Sequence, residues 1–269
     1  MDFTLKVYCK LLATLKEGGF NFQTFEEFLE KPGERVVILR HDVDLRPGYS
    51  LIMARLEREM DILGTYFFRV VGESFDIDVI REIHKLGHEV GYHYETMDTA
   101  GRSVPRNGYG DKDEYWERIV DTAYEDFRVN LGRLREVVPV QTAAMHGSPR
   151  SRFNNLDLWK RYDYRELGII GEPYLDVDFS DVFYLTDTGR RWDGARVSVR
   201  DRVESGFSGP EFVFRSTNDI IVAAEAMRLP SRIMINVHPQ RWTDSFGPWV
   251  QELVWQNIKN LVKRFLVKK

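Results

Sequence analysis

The chain has 269 residues, 43% hydrophobic and 30% charged, which excludes disorder and allows one large α/β barrel or two smaller domains. Its net charge is −4, with no basic block before a short Lys/Arg-bearing C-terminal helix, which excludes a nucleic-acid surface. A lone Cys9 excludes internal disulfides and cysteine-based zinc clusters, and fits a reducing compartment.

The first residues, Met1-Asp2-Phe3-Thr4-Leu5-Lys6, lack the basic and apolar regions of a signal peptide. No apolar run approaches the ~20 residues of a transmembrane helix, so a cytoplasmic chain is expected. Residues 1–30 read as two short helices. In the first, Leu5, Tyr8, Leu11, Leu12 and Leu15 recur at helical spacing. The second opens with the capping box Thr24-Phe25-Glu26-Glu27.

Val36-Val37-Ile38-Leu39 then reads as a strand buried on both faces, as in a parallel sheet. It ends in Arg40-His41-Asp42-Val43-Asp44. Burying three titratable groups is costly unless they are paired or bind a cation, so the strand is expected to leave the core at Asp42. Period two puts Asp42 and Asp44 on one side. Asp44 also precedes Pro47, so capping the next helix is its bland alternative.

A helix from Tyr49 to Met60, a strand over 64–69 and a helix from Ile77 to Leu86 follow, with Gly87 as its C-terminal glycine. His88 to Glu95 is the third strand. After a polar loop at Pro105–Gly110, a long helix runs from about Asp113 to Arg135 and a strand from Val138 to Met145. Further strands are expected near Gly168-Ile169-Ile170, Val182–Leu185 and Ile233–Val237. Asn218 is expected to cap a helix through Ala226, and residues 246–266 to form a closing amphipathic helix. With no internal repeat or linker, residues 1–269 read as one domain. Alternating strands and helices imply a parallel sheet, and their polar ends would ring one mouth of a (β/α) barrel.

Of the six histidines, His84 and His88 have the spacing of a helical zinc pair, but Gly87 ends the helix between them. His88 and His93 fall on opposite strand faces, and His93 lies nearer the carboxyl end. His41 should face away from Asp42, into packing or into support of the site. That leaves Asp44, His93, His146 and His238 at strand ends. One Asp with two His is an ordinary first shell for Zn²⁺, with a position open for water. Asp42 would take the water's proton and a remaining His would protonate the leaving group, which describes metal-assisted hydrolysis of an amide or ester.

Three strings together resemble a known family. Arg40-His41-Asp42-Val43-Asp44 resembles the first motif of the polysaccharide deacetylases (the NodB-homology, carbohydrate esterase family 4 group) in its Asp-Val-Asp form. Gly87-His88-Glu89-Val90-Gly91-Tyr92-His93 resembles the second motif, and Asn236-Val237-His238-Pro239 the last. The resemblance spans about residues 36–240. It implies a distorted (β/α)7 TIM-like barrel, with Asp42 as base, His238 as general acid, and Asp44 and His93 as ligands of a divalent metal. That metal would be Zn²⁺, with Co²⁺ or Ni²⁺ as alternatives. The activity implied is a carbohydrate N-deacetylase, of the members associated with O-antigen-type surface-polysaccharide biosynthesis.

The sequence departs from the family at Met97, where a second ligand histidine is usual. A thioether suits a hard divalent ion poorly. Glu95, Asp98 and His146 are the substitutes, and His146 is the third ligand expected here. In the fourth motif's place, Asp187 would orient His238 and Trp192 would wall a sugar ring. Arg191, Arg241 and Trp242 would add substrate contacts, suiting a nucleotide- or lipid-linked sugar or an oligosaccharide. A backbone N–H near Ser148 would help hold the oxyanion. Two rival readings remain: a metal-free amidohydrolase on a cyclic amide or ureide, and a non-catalytic carbohydrate-binding barrel.

Overall fold

A computed structural model describes residues 1–107, 111–147, 151–193 and 203–267, with side chains to residue 260. The chain begins with α1 (Leu5–Glu17), β1 (Asn21–Gln23) and α2 (Phe25–Glu30). Then come β2 (Val36–Val43), α3 (Gly48–Glu59), β3 (Thr65–Phe68), α4 (Ile77–Lys85) and β4 (Glu89–Tyr94). They are followed by α5 (Thr96–Ser103), α6 (Lys112–Arg135), β5 (Ala143–Met145), α7 (Pro173–Asp176) and β6 (Phe183–Thr186). The last elements are α8 (Thr217–Glu225), β7 (Arg232–Val237) and α9 (Phe246–Val267).

All seven strands are parallel, in the order β5-β4-β3-β2-β7-β6 with β1 also on β2. The α/β barrel expected from the sequence is thus present as a curled sheet. One edge of β2 carries β7 along Val36–His41. The other is shared, β1 pairing with Val36–Ile38 and β3 with Arg40–Val43. Parallel pairing sends every carboxyl end to the same side, where ligands bind in such folds.

Strand alternation sorts the side chains. Val36 and Ile38 enter an interior cluster with Phe25, Phe28, Phe67, Ala144 and Met234, whereas Val37 and Leu39 join an outer cluster beneath α1 and α8. Arg40 and Asp42 continue the inner series, and His41 continues the outer one. Gly91 matters to this interior: a Cβ there would lie 2.3 Å from Cε1 of Phe67. The absent side chain makes room for that ring.

Some expectations shift. β1 is a strand that the two-helix reading of residues 1–30 lacks, and α5 appears where no element was expected. β5 covers only the last part of Val138–Met145. Near residues 168–170 there is a single bridge between Thr142 and Gly171 rather than a strand. α8 is capped by Ser216, not Asn218, because the Ser216 hydroxyl accepts from Asp219 N–H while the Asp219 carboxylate returns the bond. Pro47 caps α3 without any side-chain bond, so Asp44 is not spent as a helix cap. Among the described residues no helix is long and apolar enough to cross a membrane.

Candidate active site

Asp42, Asp44, His93, His146 and His238 meet at the carboxyl ends of β2, β4, β5 and β7. Asp44 is their centre. Its Oδ1 lies 3.5 Å from His93 Nε2 and 3.6 Å from His146 Nε2, and its Oδ2 lies 3.9 Å from His238 Nε2. Asp44 Oδ1 is buried without a hydrogen bond. Burial alone would raise its pKa, but the surrounding His93, His146 and His238 hold the carboxyl well below its usual range.

Each histidine is aimed by its other nitrogen. His93 Nδ1 sits 2.9 Å from the Ala144 carbonyl, which makes that nitrogen a donor and leaves Nε2 facing Asp44. His146 is fastened by its backbone, its N–H donating to Tyr94 O at 2.8 Å and its carbonyl accepting from Asn155 Nδ2 at 2.7 Å. Its Nδ1 is 3.0 Å from Glu95 Oε2, close enough for an ion pair but not aligned as a hydrogen bond. Arg69 grips both oxygens of Glu95, at 2.8 and 2.9 Å, and also donates to the Asp44 carbonyl at 2.8 Å. Burial pushes the His146 imidazole down, and Glu95 with Asp44 more than reverses it.

Asp42 stands beside this group, with Oδ2 3.8 Å from His93 Nε2. Arg40 donates Nε to Oδ1 at 2.8 Å and Nη2 to Oδ2 at 2.9 Å, and Asn236 Nδ2 donates to Oδ2 at 2.9 Å. Burial would raise the Asp42 pKa, but Arg40 and the nearby His93 and His238 bring it to about 2. Sequence reasoning passed over Arg40 and Asn236. The signal was present, since each lies two residues before a site residue and therefore on the same strand face.

His238 is backed by Asp187. The ring Nδ1 is 2.6 Å from Asp187 Oδ1, and the His238 backbone N–H donates to Oδ2 at 3.0 Å. Arg241 Nη1 donates to the same Oδ1 at 2.5 Å and lies 2.8 Å from His238 Nδ1. A guanidinium only donates, so the shared carboxylate oxygen takes both donors, and Nδ1 carries its hydrogen. Trp242 Nε1 completes the set at 2.8 Å from Oδ2. His238 Nε2 is left facing Asp44.

Two substrate-contact expectations are corrected. Trp192 does not line the site: it is 5% exposed, donates to Thr217 Oγ1, and packs against Phe3 and Trp242 in the outer core. Arg241 and Trp242 are buried partners of Asp187 rather than substrate contacts. Met97 on α5 packs with Ile119, Ala123 and Phe127 in a second outer cluster. Arg191 pairs with Asp193 at 2.7 Å. Ser148 lies outside the described residues.

One buried carboxyl and one partly buried carboxyl here set an acid limit on stability. Asp42 has an ordinary value of 3.8 and Glu95 one of 4.5. Burial opposes ionisation in both, and their cationic neighbours bring both to about 2. A depressed pKa contributes stability above the unfolded value and loses it as pH falls through the folded one. The melting temperature of metal-free protein should therefore hold at pH 5 and fall steeply between pH 4.5 and 2. The Asp42 share, about 2 kcal/mol, should be absent in Asp42→Asn. Identical melting curves at pH 5 and pH 3 would contradict this assignment.

No protein-family model matches the chain, and no curated protein matches it. Among solved structures it is similar to a Streptococcus mutans CE4 esterase, at 12% identity and a TM-score of 0.43, over 88% of this chain and 85% of that one. It is also similar to the Xyl-CE4 domain of a multidomain xylanase from the hindgut metagenome of Trinervitermes trinervoides, at 12% identity and a TM-score of 0.39, over 86% and 85%. A third is BA3943, a CE4 family pseudoenzyme from Bacillus anthracis, at 13% identity and a TM-score of 0.41. That match covers 87% of this chain and 63% of the other, so the chain spans under two thirds of it. At such scores nothing about this chain's chemistry follows from the likeness.

Proposed function

We propose that this chain is a metal-dependent hydrolase that removes the acetyl group from an N-acetylated sugar. The observation that carries this reading is the buried, unpartnered Asp44 Oδ1 with the Nε2 atoms of His93 and His146 facing it. Donors bonded to one zinc at ~2.1 Å and tetrahedral angles stand roughly 3.4 Å apart. The two edges at Asp44, 3.5 and 3.6 Å, are close to that spacing. Among the described residues no group of three or more His, Cys, Asp or Glu forms a ready metal-holding cluster. On the spacing argument Asp44, His93 and His146 are the residues that would hold the ion. Zn²⁺ suits two imidazoles and a carboxylate best, with Co²⁺ and Ni²⁺ as alternatives.

A divalent ion held there would polarise the acyl oxygen and make a water more acidic. The residues supply the rest. Asp42 stays ionised, held by Arg40 and Asn236, and accepts the water's proton at a carboxylate oxygen. His238, with Nδ1–H given to Asp187, delivers a proton from Nε2 to the departing amine. Acetate and an amino sugar result. Arg69 and Arg241 are both engaged by carboxylates, so they lend no support to a phosphorylated carrier on the sugar.

Metal content and acetate release together test the proposal. Purified protein should hold one metal per chain, lost in Asp44→Ala and His93→Ala. It should also release acetate from some member of a panel of N-acetylated oligosaccharides and nucleotide sugars. Stoichiometric metal without acetate release would favour a carbohydrate-binding barrel. Acetate or ammonia release that survives chelation would favour the metal-free amidohydrolase.

Glu95 carries its own prediction. A carboxylate behind a ligand histidine orients the ring and raises its basicity. Glu95→Gln should weaken zinc binding ten- to a hundredfold, read by competition with a chromophoric chelator, because Glu95 backs His146. Unchanged affinity would remove His146 from the ligand set.

A further inference from the structure

Over Phe246–Asn260, where its side chains are described, α9 buries polar residues most deeply. A surface helix ordinarily turns an apolar stripe to the core and a polar one to water. Here the buried stripe is Glu252, Gln256 and Asn260, spaced four apart. Gln256 Nε2 donates to Glu252 Oε1 at 2.7 Å, and Asn260 Nδ2 donates to the Gly189 carbonyl at 2.9 Å. Trp249 donates to Asp2 O at 2.7 Å, and Arg190 donates to Trp249 O at 3.1 Å. The helix is therefore pinned to the turn that follows Asp187.

Its exposed positions over Gln251–Ile258 are Gln251, Val254, Trp255, Asn257 and Ile258, three of them apolar. Val254, Trp255 and Ile258 are 53%, 54% and 50% exposed. Lys259 lies over the Trp255 ring, 5.3 Å from its centroid. From Lys259 onward the sequence carries Lys263, Arg264, Lys268 and Lys269 and no acidic residue, within a chain whose net charge is −4. Exposed apolar side chains in a row mark a contact surface. Tryptophan amid lysines matches a lipid headgroup layer, where the ring sits at the boundary and the cations meet anionic phosphates.

We propose that the outer face of α9 rests on an anionic membrane surface and holds the domain there. The inference is independent of the reaction. It brings the turn behind Asp187, and so one side of the candidate site, close to the bilayer.

Co-sedimentation of the full chain with vesicles tests it. One set is phosphatidylcholine alone, and the other contains about one third phosphatidylglycerol. Binding should be about tenfold stronger to the anionic vesicles and should fall as salt is raised. Trp255→Glu and Ile258→Glu should each weaken it about tenfold, and Lys259→Glu roughly fivefold per charge lost. Val129→Glu, at a 60% exposed apolar position on α6, should leave binding unchanged. Circular dichroism confirms folding of each variant. Equal or negligible binding to both vesicle types would overturn the proposal. So would parent-like binding by Trp255→Glu and Ile258→Glu. A dimer in sedimentation velocity that Ile258→Glu dissociates, with no vesicle binding, would assign the stripe to a second copy instead.

Discussion

Replacing Asp42 with Asn is expected to slow acetate release by 10²–10⁴-fold, the range a positioned proton acceptor supplies. An amide cannot take the water's proton. The same change also acts on stability. Arg40 is buried, and both oxygens of Asp42 accept its hydrogen bonds. The Asn amide nitrogen would face either a guanidinium N–H or Asn236 Nδ2, which is donor against donor. Leaving a buried guanidinium without its counter-ion costs about 3 kcal/mol or more. The double variant Arg40→Gln/Asp42→Asn separates the two effects. It should recover part of the lost stability and none of the activity. If the double variant hydrolyses substrate at a rate near that of the parent, Asp42 is not the base.

Removing Glu57 should produce the largest loss of stability. Glu57 is wholly buried on α3, yet it carries a charge. Its Oε1 accepts from the Tyr8 hydroxyl at 2.6 Å and from His41 Nε2 at 2.8 Å, and its Oε2 accepts from the Tyr66 hydroxyl at 2.7 Å. His41 Nδ1 faces the Thr65 carbonyl at 3.1 Å. Both ring nitrogens of His41 thus face oxygen atoms. Burial alone would raise the Glu57 pKa, but His41 holds it below the ordinary value. Burial and Glu57 together push both tyrosines well up, keeping their hydroxyls protonated as donors. His88 takes no comparable part, because its Nδ1 accepts from Gly64 N–H and its Nε2 donates to Ala54 O. Glu57→Ala would strand three buried donors. About 4 kcal/mol should be lost, lowering the melting temperature by roughly 10 °C in a chain of this size. Glu57→Gln keeps one acceptor oxygen and should lose about half as much. A Glu57→Ala melting point within about 2 °C of the parent would show that the network contributes little.

These results bear on what a sequence can disclose. Asp42, Asp44, His93 and His238 were legible because strand period and strand ends are local properties. An apolar run names the strand, and its first polar residues name the mouth. Asp44 as a helix cap could not be dismissed from sequence, since only the dihedral path through Pro47 decides it. Where Met97 points could not be read for a similar reason. Thr96–Ser103 contains Gly101 and has too short a pattern to read as a helix, yet α5 decides where residue 97 points. Arg241 and Trp242 follow His238 directly, so the sequence places them at the mouth. Which way they turn depends on Asp187, some fifty positions away, whose carboxylate draws both inward. Long-range pairing of this kind leaves no periodic trace.

The space conceded by Gly91 has a further effect. The Phe67 ring that fills it lies below Arg40, 5.5 Å from the guanidinium carbon, and rests on Phe25, Ile38 and Met234. That stack plugs the barrel from beneath. A larger residue at position 91 would push that ring toward Arg40 and disturb the Arg40–Asp42 pair from below.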